Sequence, residues 1–177
     1  MKHKFLLSIF LMSIVVSCKQ PEARRPKKHG ITNFYKEVIE KNKKLNALEK
    51  KSLEKLISLD TIQKYQSSTN GFWYTYVKKD TVNTNFPKFE DLVQIEYNIS
   101  DINGNIIYDN LERVYKVDKE DFIPALQDGI KLMKKGETIT FVIPSYRAFG
   151  VVGDGNKITV NQPIKSTVTL IDIKSNN

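Results

Sequence analysis

The 177-residue sequence predicts an α+β domain, an antiparallel β-sheet with one buried helix, preceded by a helical extension. Three observations carry this expectation. From Leu92 onward apolar and polar residues alternate. Val93, Ile95, Tyr97 and Ile99 fall on one face and Gln94, Glu96 and Asn98 on the other, the period of a half-buried strand. Within the strand-rich half a single stretch, Phe122, Ile123, Leu126, Ile130 and Met133, recurs at helical spacing. Ahead of the strands lies a lysine-rich amphipathic segment with no strand period.

Taken in chain order, Phe34, Tyr35, Val38 and Ile39 form a short apolar stripe. Leu48, Leu53, Leu56 and Ile57 form a second. Asn46 with Glu49 three residues on has the form of a capping box, so the spacing predicts two helices, over 32–44 and 47–59. Ser67-Ser68-Thr69-Asn70-Gly71 breaks the helical pattern, and the β-prone Phe72, Trp73, Tyr74, Tyr76 and Val77 follow. Asn103-Gly104 predicts a hairpin turn, because both residues tolerate positive φ, and Ile106, Ile107 and Tyr108 begin the return strand. Pro124 suits the first turn of the buried helix and Gly136 ends its pattern. Ile139, Phe141 and Ile143 then alternate with Thr138, Thr140 and Val142, and a last alternating run spans 164–173.

The amino terminus has a different logic. Met1 to Lys4 is a short positive region, and Phe5 to Val16 is an apolar run of signal-peptide length, too short to span a bilayer. Val15-Val16-Ser17-Cys18 resembles the lipobox of bacterial lipoproteins, which implies cleavage before Cys18 and acylation of its thiol. Cys18 is the only cysteine, so the mature chain would carry no disulfide. The expected organisation is a signal peptide over 1–17, a lipidated tether over 18–30, a helical extension over 31–70, a connecting strand and linker over 71–87, and the main domain over 88–177. Residues 19–89 hold 16 basic and 7 acidic side chains, and residues 90–177 hold 10 and 13, so the basic half adjoins the anchor. Lys19, Arg24, Arg25, Lys27 and Lys28 then either face anionic lipid or form a solvated linker. The expected location is the envelope of a bacterial cell, lipid-anchored, with the domain facing the periplasm.

Several chemistries are excluded. Past the signal the one histidine is His29, in the tether, so neither a Ser-His triad nor a Cys-His pair can form, and a histidine or cysteine metal cluster is ruled out by count. Gly150, Gly153 and Gly155 lack the spacing of a phosphate-binding loop. Asp101, Asn103, Asn105 and Glu112 resemble part of an EF-hand loop, but the glycine stands fourth instead of sixth, and a hairpin turn explains the same residues. No aromatic-basic motif points to nucleic acid. No metal and no cofactor are expected. What remains suits binding, or catalysis without bond cleavage.

Four segments in order resemble FKBP-type peptidyl-prolyl isomerases. They are Asp91 to Tyr97 with Asp101-Ile102-Asn103-Gly104 and Tyr108-Asp109; Phe122-Ile123-Pro124-Ala125-Leu126 with Gly129, Met133 and Gly136; Ile143-Pro144-Ser145 with Ala148-Phe149-Gly150; and Lys157-Ile158, Asn161 and Pro163-Ile164 with the last strand. The resemblance covers residues 88–174 and implies an FKBP-like sheet wrapped around one short helix. Pro21 to Pro26, the helical stretch and Gly71-Phe72-Trp73-Tyr74 add a narrower resemblance to the gliding-motility-associated FKBP lipoproteins.

Carried over residue by residue, the resemblance implies a pocket of Tyr97, Tyr108, Phe122, Ile123, Leu126, Phe149 and Ile158, with Leu126 at the floor and Tyr115 as a further wall. It implies that Asp109 is a buried carboxylate polarising the site and that the Ile123 N–H donates to substrate. Departures are also evident. Phe149 stands where the family has tyrosine, Ser166 where the last strand offers an aromatic wall, and Thr159-Val160 where the loop has two prolines; one extra residue precedes Tyr108. The implied partners are proline-containing polypeptides and, through Cys18, a lipid membrane. The helices either pair between two copies of the chain as a homodimer or cover the domain. Two readings stay open at this point: an isomerase acting on exported proteins, and a non-catalytic binding module in a membrane-associated motility or secretion machine.

Overall fold

The computed structural model describes residues 31–176. The expected signal sequence and tether, with Cys18, fall in residues 1–30 and lie outside the described residues. The described residues from Glu40 onward form one compact unit. The elements are α1 (Ile31–Leu59), β1 (Gln66–Ser67), β2 (Trp73–Lys78), β3 (Leu92–Ser100), β4 (Ile106–Lys116), α2 (Pro124–Ile130), β5 (Thr138–Ile143) and β6 (Ile164–Lys174), with a 3₁₀ turn at Ser145–Arg147. The strands form one antiparallel sheet in the order β1-β2-β5-β6-β3-β4. The α+β expectation holds.

Alternation decides what each face of the sheet buries. On β5, Ile139, Phe141 and Ile143 turn to the main core, where Leu126 and Ile130 of α2 meet them. Val142 turns the other way, beside its register partner Trp73 on β2. That second patch would be wet if Leu53 of α1 did not cover it; Leu53 is only 3% exposed there. The apolar Val142 in a row of outward threonines is thereby explained, while Thr138 and Thr140 bond Thr169 and Thr167 across the sheet.

The hairpin joining β3 and β4 forms as expected. Asp101 Oδ1 accepts the N–H groups of Asn103 and Asn105, Asn105 Nδ2 donates to Asp101 Oδ2, and Gly104 takes φ +96°. These polar groups bond one another and define a turn.

The two-helix expectation is corrected: α1 is continuous through Asn46. No glycine or proline interrupts residues 40–50, and an interior asparagine costs only about 0.7 kcal/mol, less than the packing of Leu53 supplies. Glu49 does not close a capping box. Its carboxylate bonds Ser145, 96 residues away.

Candidate functional site

The site begins with a strand irregularity. Tyr97 pairs with Leu111 and Ile99 with Tyr108, so two steps on β3 face three on β4. The bulge falls at Asp109 and Asn110, and Asn110 takes φ +50°. A second shift, between Ile99↔Tyr108 and Ser100↔Ile106, absorbs one more residue next to Tyr108. Past the bulge β4 resumes its alternation, with Leu111, Arg113 and Tyr115 toward the inner face and Glu112 and Val114 exposed.

Beside that inner face lies a hollow of about 310 Å³, lined by Tyr97, Ile99, Arg113, Asp121, Phe122, Ile123, Pro124, Ala148 and Phe149. The Phe122 ring organises it. Tyr97 meets this ring edge-on at 5.4 Å, Tyr115 lies tilted at 5.6 Å, and the Arg113 guanidinium sits 4.7 Å above the ring centre. Arg113 Nη2 also donates to the carbonyl oxygen of Asp121 at 2.8 Å. Burial holds the Tyr97 hydroxyl above its ordinary value, although nearby Arg113 pulls it down, so it is an O–H donor at neutral pH. Ile123 has φ −56° and ψ 119°, just outside α2, and its carbonyl accepts the N–H groups of Leu126 and Gln127 in that helix.

Of the residues expected at the site, Tyr97, Phe122, Ile123 and Phe149 line this hollow. The others stand elsewhere. Asp109 is corrected most sharply. It is exposed, accepts the N–H of Asn110, and lines a separate polar hollow with Glu96, Asn98, Thr167 and Thr169. The bulge turns it to the outer face, and a carboxylate with that one donor would not stay buried. The carboxylates that are buried have such donors: Glu137 accepts the N–H groups of Asp80 and Lys134, and Asp91 those of Lys88 and Asn176.

Tyr108 donates its hydroxyl to Asp154, and Asp154 also accepts the N–H groups of Asn156 and Ile158. The Tyr108 hydroxyl is the main reason that the Asp154 carboxyl lies below its ordinary value. Tyr108 and Ile158 therefore pin the 153–158 loop and do not line the hollow. Tyr115 is fully buried, its hydroxyl accepting the N–H of Asp118, so it backs the wall without forming its surface. Leu126 is likewise fully buried in the core and does not line the hollow. Ser166 is 1% exposed and donates to the carbonyl oxygen of Asn98 at 2.7 Å, closing the sheet where an aromatic wall was absent from the sequence.

Arg113 was missed. Its signal was available: a charged residue on the strand face otherwise made of Leu111, Tyr115 and Val117. Asp121 and Ala148 were missed as lining residues, although each directly precedes a residue that the family pattern marks, Phe122 and Phe149. Among the described residues no cluster of three histidine, cysteine, aspartate or glutamate side chains could hold a metal.

A model of the FKBP-type peptidyl-prolyl cis-trans isomerase family matches residues 83–171, half of the chain. The chain belongs to that family. This FKBP domain carries the family's activity, cis-trans isomerisation of X-Pro peptide bonds, and its substrates are proline-containing polypeptides. Solved structures agree on the fold. FkpA from Escherichia coli superposes with a TM-score of 0.61 at 22% identity, covering 99% of this chain and 83% of that one. A peptidyl-prolyl cis-trans isomerase from Pseudomonas syringae pv. tomato gives 0.59 at 19% identity, covering 73% and 96%. No curated protein sequence matches the chain.

Proposed function

We propose that the hollow bounded by Tyr97, Phe122, Ile123 and Phe149 is where this isomerase holds the prolyl ring, and that the enzyme is a folding helper for exported polypeptides, anchored to a membrane by an acylated Cys18. The observation that carries the site reading is the composition of the hollow, aromatic and aliphatic walls with a Tyr97 hydroxyl at the edge. The anchoring rests on the sequence pattern Val15-Val16-Ser17-Cys18.

The chemistry needs no nucleophile. Resonance in the peptide bond sets a rotation barrier of about 18–20 kcal/mol. Before proline, cis and trans lie close in energy, yet exchange takes tens of seconds or more. Acceleration therefore requires tighter binding of the twisted imide than of either planar form. Twisting removes resonance and with it part of the amide dipole, so apolar walls favour it over water. Phe122, Ile123 and Phe149 supply those walls, and the Tyr97 hydroxyl and the Ile123 N–H supply donors that hold the flanking carbonyls while the bond turns. Phe149 brings no hydroxyl of its own. One neutral hydrogen bond is worth about 0.5–1.5 kcal/mol, so its absence lowers the rate by roughly tenfold or less.

Two experiments test this. In a chymotrypsin-coupled assay on X-Pro peptides, and in the proline-limited refolding of an unfolded protein, the full chain accelerates isomerisation. Asp109→Leu keeps kcat/KM within about twofold, because an exposed side chain outside the hollow contributes little. A folded Asp109→Leu protein without activity would sink the assignment of the hollow. For the anchor, the wild-type chain sediments with membranes and Cys18→Ser is released to the soluble fraction. Equal partition of the two would remove acylation from the reading.

A further inference from the structure

We propose that Glu49 of α1 is a positioning residue of the isomerase: it holds the turn that carries Phe149. The inference rests on the reading of the hollow as the prolyl site. It begins from a carboxylate that the sequence pattern assigned to a local cap and that the fold uses elsewhere.

Ala148 and Phe149 form one wall of the hollow and hang from the 3₁₀ turn Ser145–Arg147. That turn is gripped from two sides. On the α2 side, Arg147 Nη2 contacts Asp128 Oδ2 at 2.5 Å and donates to the carbonyl oxygen of Pro124 at 3.3 Å. On the α1 side, Glu49 Oε1 accepts the Ser145 N–H at 2.5 Å and Oε2 accepts the Ser145 hydroxyl at 2.7 Å. Ser145 is 2% exposed, so its N–H has no ready exchange of Glu49 for water. The carbonyl of the same residue accepts the N–H groups of Ala148 at 3.0 Å and Gly150 at 2.8 Å. Glu49 thus grips the residue that closes the turn around Phe149.

The helix is set to deliver this carboxylate. Leu53 lies four residues after Glu49, hence on the same helix face, and is buried against Trp73 and Val142. Burial of Leu53 fixes the rotation of the helix, and that rotation aims Glu49 at Ser145. Glu49 does not reach the prolyl hollow. It lines a separate hollow of about 480 Å³ on the other side of the turn, with Asn42, Asn46, Tyr146, Gly150 and Val151. Its effect on the reaction therefore passes through the turn. A wall that has to fit a half-rotated imide tolerates little displacement, whereas ground-state binding of a prolyl ring tolerates more. Loss of the grip lowers kcat and leaves KM nearly unchanged.

The test measures kcat and KM of the full chain on an X-Pro peptide for Glu49→Ala, Glu49→Gln, Ser145→Ala and, as an exposed neighbour on the same helix, Lys50→Ala. Melting curves taken alongside fix a temperature at which each variant is folded. Glu49→Ala is expected to lose about tenfold in kcat with KM within about twofold. Glu49→Gln keeps an oxygen for the Ser145 N–H and an amide that can donate to the Ser145 hydroxyl, and it returns to within about twofold or threefold of wild type. Ser145→Ala, which keeps the backbone N–H, loses less than Glu49→Ala and stands in for it should the latter not fold. Lys50→Ala is unchanged. A folded Glu49→Ala protein with wild-type kcat overturns the inference. So does a Gln variant as impaired as the Ala variant, or, where Glu49→Ala does not fold, a Ser145→Ala variant with wild-type kcat. If the wild-type chain itself is folded and inactive, the reading of the hollow fails first; if Phe122→Ala is inactive and Glu49→Ala is not, only the role of Glu49 fails.

Discussion

Gly129→Ala is expected to destabilise the protein by about 2 kcal/mol, although alanine is the better helix former by about 1 kcal/mol. Gly129 lies inside α2, where a Cβ would stand 2.5 Å from Cε1 and 2.8 Å from Cζ of Phe141. Those are the far atoms of a side chain, but the ring has no room to give. Phe141 is fully buried on β5, and Phe72 meets it edge-on at 5.8 Å. Separating α2 from the sheet to admit the methyl group would open the core at Leu126 and Ile130, which pack in the same layer. Overpacking of this kind costs about 1–3 kcal/mol, and the upper part of that range applies to a contact so far inside van der Waals distance. Thermal unfolding should show the midpoint lowered by roughly 4–8 °C. The cause is tested by Phe141→Leu, which removes the colliding atoms. In the double variant the Gly129→Ala penalty should shrink, with a coupling of at least about 1 kcal/mol. Strict additivity of the two changes, or a Gly129→Ala protein as stable as wild type, would show that the methyl group is accommodated without the ring.

What the sequence discloses and what it hides divide along the range of the interactions. The β3–β4 hairpin is legible because its determinants, Asp101, Asn103, Gly104 and Asn105, bond one another within five residues. The faces of β5 are legible because alternation is local, and the one anomaly, Val142, is explained only by Leu53 of a distant helix. The break expected near Asn46 fails for the same reason. The local cap signal is weak, and packing of Leu53 and the Glu49–Ser145 contacts act on the helix from far along the chain. At the candidate site, the family pattern marks Tyr97, Phe122, Ile123 and Phe149, and these four converge on one hollow. Asp109 was misplaced because a pattern of residue types carries no record of a bulge. The gain of one residue at Asp109 and Asn110, beyond the extra residue that precedes Tyr108, shows only in the pairing of the two strands. Arg113 shows the complementary failure, since strand alternation put it on the inner face and no motif drew notice to it.

Phe122→Ala should cost the largest share of activity, a fall in kcat/KM of roughly 10- to 100-fold with the fold retained. The ring is only partly buried, so its loss removes less from the core than Tyr115 or Phe141 would. Its contribution to the site is greater. It supplies an apolar wall to the hollow, meets Tyr97 edge-on at an interplanar angle of 84°, and gives the Arg113 guanidinium a face to rest on. Removing the ring withdraws contacts worth about 1.5–3 kcal/mol when a phenylalanine is fully buried, and each 1.36 kcal/mol is tenfold in rate. The void also admits water beside the imide, where water favours the planar, more polar form. Tyr97 loses its edge contact, so its hydroxyl is less firmly aimed. Phe122→Leu separates these effects: it restores most of the apolar volume and none of the aromatic geometry, so its kcat/KM should fall between the wild type and Phe122→Ala. Were Phe122→Leu as poor as alanine, aromatic positioning of Tyr97 and Arg113 would outweigh the apolar wall. A folded Phe122→Ala protein with wild-type kcat/KM would move the reaction out of this hollow altogether.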